Sequence, residues 1–290
     1  MAAPDPAIAA LTAQVDVQRL RRWVRALSGF STRHTRSRYN PVAAKWLQWE
    51  FEQLGYTGVE LQQFPVGRLR RFNVTCSRPG TETPDVVVLL GAHYDSRASN
   101  LRNVTVRAPG ADDNASGTAA LLEVARLLRE FPTRCTVRFA AFTGEEQHML
   151  GSTAYAARAR AEGMRIRLMI NMDMIGSPAD PMRPAVIIER VPGKGKSRGH
   201  PDSRRYAIKM TAAARRYTSL ITRTGPIYDS DYIPFERLGY PVVGAFDGAD
   251  KRSFYHTALD TPDKVRAPFH AEVVRMVLAT VCSVANEVAR

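Results

Sequence analysis

Asp85-Val-Val-Val-Leu-Leu-Gly-Ala-His93 is the stretch on which the fold turns. From Val86 to Ala92 no polar side chain interrupts it, and a turn at Pro84 feeds into it. An uninterrupted apolar strand has no face to offer water, so it predicts the interior of a parallel or mixed sheet. The run ends on a histidine. In open α/β sheets ligands bind outside the carboxyl ends of the strands, so that histidine is the first candidate for chemistry.

Working outward, the pattern alternates. Downstream it predicts helix over 115–128 with Asn114 or Ser116 near its cap, strand over 135–142, helix over 149–161 and strand over 166–172. Strand over 184–189, helix over 202–217, strand over 241–246 and a closing helix over 270–288 follow. Upstream, residues 17–27 and 41–54 carry apolar residues at helical spacing, and Gly55 sits where a helix commonly stops. Strand-like stretches at 59–64 and 72–76 complete the pattern. Strands alternating with helices predict an α/β fold, three α/β/α layers around a mixed, mostly parallel sheet. With no internal repeat and no low-complexity block, residues 1–290 read as a single domain, with 1–16 a poorly ordered extension. The stretch 190–203 is rich in Gly, Lys and Arg and reads as a mobile basic loop. Its Arg190, Lys194, Lys196 and Arg198 are expected on a solvated surface rather than in substrate selection.

The chain is 44% hydrophobic with a formal charge of +13, an ordinary globular composition on a basic background. Such a charge raises the prospect of anionic partners. Yet the Arg residues are dispersed and no helix-turn-helix, RNP-type strand or zinc-finger spacing is present, so no specific nucleic-acid partner is expected. Cys76, Cys135 and Cys282 are odd in number and form no CxxC; Cys135 and Cys282 read as core residues, and at most one bridge is open to the three. No apolar run of transmembrane length is read in the sequence. The start, Met-Ala-Ala-Pro-Asp-Pro, has no basic and apolar leader pattern, which leaves two compartments open: cytoplasmic, or secreted or periplasmic if a signal was trimmed.

The residues that carry chemistry lie at element ends. His93 and Asp95 close the first buried strand, Glu145 and Glu146 follow the strand at 135–142, and Asp173 follows the strand at 166–172. Asp113 precedes a helix and His256 follows the strand at 241–246. Two imidazoles and three carboxylates make a ligand set suited to zinc, with manganese or cobalt as substitutes. One carboxylate can bridge two ions about 3.5–4 Å apart. Asp95 lies two residues from His93, where it can take the proton of the ring nitrogen that does not bind metal. Glu145 and Glu146 are adjacent, so their side chains diverge, and one can bind metal while the other handles protons.

Gly91-Ala-His-Tyr-Asp-Ser96, Pro109-Gly-Ala-Asp-Asp-Asn-Ala-Ser-Gly117, Thr143-Gly-Glu-Glu146, Leu150-Gly-Ser152, Asn171-Met-Asp-Met174 and Tyr255-His-Thr-Ala-Leu-Asp-Thr261, in this order, resemble the M28 family of zinc peptidases. So do the segment from Ala44 to Tyr56 and Ser230-Asp-Tyr-Ile-Pro-Phe235, and the likeness runs from about Leu20 to the end of the chain. The resemblance implies two zinc ions, one on His93 and Asp173, the other on Glu146 and His256, with Asp113 bridging. It implies Glu145 as general base and acid, Asp95 orienting His93, and a cis peptide at Asp113–Asn114. Many relatives read Ser-Asp-His where this chain reads Ser230-Asp231-Tyr232, so Tyr228 or Tyr232 is a candidate for oxyanion or substrate contact. The implied reaction is hydrolysis of the N-terminal peptide bond of peptides with a free amine. A glutaminyl cyclase on the same scaffold, a carboxypeptidase of the superfamily and a basic binding protein with a structural metal are the alternatives. Nothing in the sequence speaks to oligomeric state or preferred residue.

Overall fold

The computed structural model describes residues 3–192 and 199–288. Helices α1 (Pro6–Thr12), α2 (Val17–Ser28) and α3 (Asn40–Gln53) open the chain, followed by strands β1 (Glu60–Val66), β2 (Leu69–Arg78) and β3 (Thr83–His93). Then come α4 (Gly117–Leu128), β4 (Cys135–Phe142), α5 (Leu150–Ala161), β5 (Arg165–Met172) and β6 (Ala185–Arg190). The chain continues through α6 (Asp202–Tyr217), β7 (Ile221–Pro226), α7 (Ile233–Arg237), β8 (Val242–Phe246) and α8 (Ala267–Ala285). All eight strands form one sheet in the order β1-β2-β4-β3-β5-β8-β6-β7. The central four, β4, β3, β5 and β8, run parallel to one another. β2 and β1 add antiparallel on one side, and β6 meets β8 antiparallel on the other, with β7 parallel to β6. The α/β class and the mixed sheet read from the sequence are therefore the architecture observed.

The stretch 85–93 is buried for the reason its composition gives. Val88, Leu90 and Ala92 face one core, shared with α1, α2, α3, α4, α6 and α8. Val87 and Leu89 face another, shared with α5 and α7. Strand alternation thus divides one continuous apolar run between two layers. Because β3, β4, β5 and β8 run the same way, their carboxyl ends (His93, Phe142, Met172 and Phe246) emerge at one rim.

One sequence expectation is corrected, and two elements went unread. Residues 1–16 do not form a poorly ordered extension throughout: Asp5 caps α1 through the backbone N–H groups of Ala7 and Ile8, and Ile8 and Leu11 are buried as α1 packs on α8. The periodicity of α1 is too short to register against the Pro-rich start, but two apolar side chains and a cap suffice to dock it. Among the described residues α8 is long and apolar enough by composition to cross a membrane, but it lies largely buried, against α6, α1 and α2, as a core helix does. Strand β7 was unread because it is an edge strand with mostly exposed residues and no alternation. The short helix α7 was also unread, being a single turn after Pro234 takes its N-terminal position. All three cysteines are buried and free. Of the basic loop, Lys194, Lys196 and Arg198 lie outside the described residues, while Arg190 ends β6.

Candidate metal centre

The rim collects the predicted residues from separate elements. His93 is the last residue of β3 and Asp173 directly follows β5. Glu145 and Glu146 occupy the single helical turn Glu145–Gln147 just beyond β4. Asp113 lies in the irregular turn Ala111–Ser116 that leads into α4, and His256 lies in the loop after β8 with a left-handed backbone (φ 55°).

Two clusters result, and they share one residue. His93 Nε2 stands 3.1 Å from Asp173 Oδ1 and 3.3 Å from Asp113 Oδ1. His256 Nε2 stands 2.9 Å from Asp113 Oδ2 and 3.1 Å from Glu146 Oε2. The two oxygens of Asp113 therefore face different clusters. Ligand atoms about 2.0–2.1 Å from a tetrahedral zinc are separated by about 3.3 Å, so these spacings suit a shared cation. His256 Nε2 and Glu146 Oε1 are buried yet make no hydrogen bond among the described residues. A ring nitrogen close to two carboxylate oxygens but out of hydrogen-bonding geometry has its lone pair free for a metal. The donor set fits a pair of zinc ions on this ground.

Supporting contacts fix each ligand. His93 Nδ1 donates to the backbone oxygen of Asp95 at 3.2 Å, which leaves Nε2 with the lone pair. The Asp95 carboxylate is 3.6 Å from that ring and accepts instead from Thr35 Oγ1 and from the backbone N–H groups of Glu145 and Glu146. Asp95 thus orients His93 chiefly through its main chain and anchors the Glu145–Glu146 turn with its side chain. Ser230 Oγ donates to Asp173 Oδ2 at 2.6 Å and accepts from Asn171 Nδ2 at 2.8 Å. The Asp260 carboxylate accepts from the backbone N–H groups of Asp112 and Asp113 at 2.9 and 3.1 Å. The peptide Asp113–Asn114 is cis. Asn114, not Ser116, caps α4, accepting from Gly117 N–H at 2.9 Å. Gly117 has no Cβ, and one there would fall 2.5 Å from Asn114 Oδ1.

The electrostatics follow from burying so many carboxyls together. Burial, then the charges of Asp173, Glu146 and Asp231, raises Glu145 well above the usual carboxylate range. Burial also raises Asp231, to about 7. Asp113 is the opposite case: burial works against its charge, but the His256 and His93 imidazoles beside it hold it far below normal. Burial lowers both histidines and the carboxylates more than reverse this, taking His256 to about 9 and His93 well up.

Tyr228 and Tyr232, offered together by the sequence, separate here. Tyr232 is wholly buried; its hydroxyl accepts from the backbone N–H of Tyr228 at 2.7 Å and donates to Glu189. With its hydroxyl so engaged, Tyr232 supports the wall and is not placed for an oxyanion. Tyr228 is 69% exposed at the cavity lined by Asp113, Glu145 and Asp173. A larger hollow of about 1020 Å³ opens at the opposite rim, beside Arg165, His200 and Lys209, and shares no lining residue with this centre.

The model of peptidase family M28 matches residues 73–281, most of the chain and every residue of both clusters. The chain belongs to peptidase family M28. This M28 chain is 31% identical over 192 residues to a probable zinc metalloprotease of Pyrenophora tritici-repentis, an alignment covering 60% of the chain and 40% of that protein. It thus spans about two fifths of the length of that curated relative. Its fold is that of the aminopeptidase from Aneurinibacillus sp. strain AM-1 (TM-score 0.78, 19% identity, 96% of each chain). The same fold is found in a glutaminyl cyclase of Bacteroides thetaiotaomicron (TM-score 0.73, 19% identity, 95% of this chain and 99% of that one).

Several residues of the M28 site carried no role in the sequence reading. Asp260 lies within a motif that was recognised, two positions before the turn that begins at Pro262. Arg97, whose Nε donates to Glu146 Oε2 at 2.6 Å, looked like any surface arginine. Glu189 closes a strand and is buried against Tyr232. Arg33 belongs to no motif at all and is completely buried behind the site.

Proposed function

We propose that this chain is a zinc-dependent aminopeptidase that hydrolyses the N-terminal peptide bond of peptides with a free amine. The observation that carries this reading is the pair of clusters meeting at Asp113, with Glu145 beside them on the cavity wall. In this reading His93, Asp113 and Asp173 would hold one ion and Asp113, Glu146 and His256 the other. When bound, such ions supply Lewis acidity to a water molecule and to the scissile carbonyl. Glu145 takes a proton from the attacking water and delivers it to the leaving amine; a carboxyl raised by burial is suited to hold that proton between the two events. The Asp95 carboxylate, by accepting two backbone N–H groups of its turn, keeps Glu145 from swinging away. Tyr228, exposed at the cavity, is the candidate to donate toward the developing oxyanion.

A panel of aminoacyl-coumarin amides, free and N-acetylated, tests the reading. Cleavage of free-amine substrates alone, lost on chelation and restored by zinc, is expected. Cleavage of acetylated substrates as well would refute the exopeptidase assignment. The likeness to a glutaminyl cyclase supplies a second reading, distinguished by release of ammonia from an N-terminal glutaminyl peptide without cleavage of the chain.

A further inference from the structure

Resting on the aminopeptidase reading, we propose that the cavity selects peptides whose N-terminal residue is Lys or Arg, with Glu189 as the carboxylate at its base.

Besides Glu145, the cavity beside the clusters carries three carboxyl side chains that neither cluster uses: Glu189, Asp229 and Asp250. Among the described residues no Lys or Arg lines it, although the protein as a whole carries a charge of +13. The cation bonded to the centre, Arg97, is already committed to Glu146. Asp229 and Asp250 have no side-chain hydrogen bond or ion pair among the described residues. Glu189 differs from these two in being 5% exposed while still lining the cavity, and its partner is the Tyr232 hydroxyl. A carboxylate has about four acceptor positions, and one hydroxyl fills only one of them.

The backbone makes room for this arrangement. Gly244 in β8 faces Glu189 across the β6–β8 ladder, and a Cβ there would lie 2.4 Å from Glu189 Oε2 and 2.6 Å from Tyr232 Cε1. Any side chain at position 244 would displace both groups. Met174, Phe246 and Tyr255 supply apolar and aromatic wall to the same cavity. Apolar walls leading to a buried carboxylate match a side chain with an aliphatic stem and a cationic head, which buries the stem and pairs the head. An N-terminal Glu would meet like charge. A neutral Leu would fill the walls and leave Glu189 unanswered.

Calorimetric titration of the zinc-loaded protein with L-argininamide and L-citrullinamide isolates the side-chain charge, since both carry the same α-amine and nearly the same shape. Argininamide should bind about tenfold tighter or more, as expected for a charge-assisted bond in a shielded pocket. Glu189→Gln should reduce that ratio. Asp250→Asn, at a less buried position, should reduce it by less and serves if the first variant does not fold. Equal or weaker binding of argininamide, or a ratio unchanged in both folded variants, would overturn the proposal. Hydrolysis of the matching Arg- and citrulline-coumarin amides is scored separately. A charge preference in binding without turnover of any free-amine substrate would sink the aminopeptidase reading and leave the cationic pocket standing.

Discussion

Arg33 sits wholly out of solvent, and its guanidinium donates to the backbone oxygens of Leu27, Tyr94, Pro109 and Gly110 at 2.5–2.8 Å. Burial lowers it to about 10, against the pull of Asp260, Asp95, Asp113 and Glu146, so it stays charged at neutral pH. One side chain thereby ties the end of α2, the exit of β3 and the loop leading to Asp113. Arg33→Met should cost about 3 kcal/mol or more, because four carbonyls lose their donor in a buried place; urea unfolding monitored by circular dichroism checks it. Glu145→Gln is expected to retain zinc, measured by metal analysis, and to lose about 10²–10⁴ in kcat. Near-normal turnover would remove Glu145 from its assigned role. At this scale the sequence was half legible. Residues whose side chains meet the clusters stand in motifs at strand ends, but Arg33 acts by bonding backbone oxygens from four places, and no local pattern marks that.

At the scale of elements, the two clusters differ in how they are held. His93 and Asp173 sit at the ends of adjacent central strands, whose ladder fixes their separation. Glu146 and His256 hang from a short turn and a long loop, and depend on local contacts: Tyr255 stacks on the His256 ring at 3.6 Å and Ser99 Oγ donates to the His256 oxygen. Asp113 depends on Asp260 in the same loop as His256. Asp260→Ala should therefore weaken metal binding about 10–100-fold, read by competition with a chromogenic chelator, while far-ultraviolet circular dichroism stays unchanged. The strands of the central sheet were readable because burial on both faces leaves an apolar run. The loop holding His256 was readable only through its resemblance to a family, since its spacing from β8 obeys no periodicity.

For the whole molecule, the density of buried carboxyls makes stability depend on metal and pH together. Burial raises Glu189 and Asp260 to about 8, from about 4.5 and 3.8 when solvated. A carboxyl raised in the folded state contributes its stability below its unfolded value, and that contribution is lost as pH rises through the folded value. Chelated protein should therefore melt at progressively lower temperature between about pH 4 and pH 8, where these two groups are charged in the unfolded chain and still neutral in the folded one, and Glu189→Gln should make that slope shallower; an unchanged slope would exclude Glu189 as its source. Zinc at a hundredfold its dissociation constant adds about 2.7 kcal/mol, or roughly 5–10 °C in a chain of this size. The open sheet has a further consequence at its margins. Its two outermost strands each carry a proline within the paired stretch, Pro65 in β1 and Pro226 in β7. A proline offers no N–H to a newcomer, so neither border readily templates an additional strand, and edge-to-edge aggregation of folded molecules is discouraged at the point where an open sheet is most exposed to it.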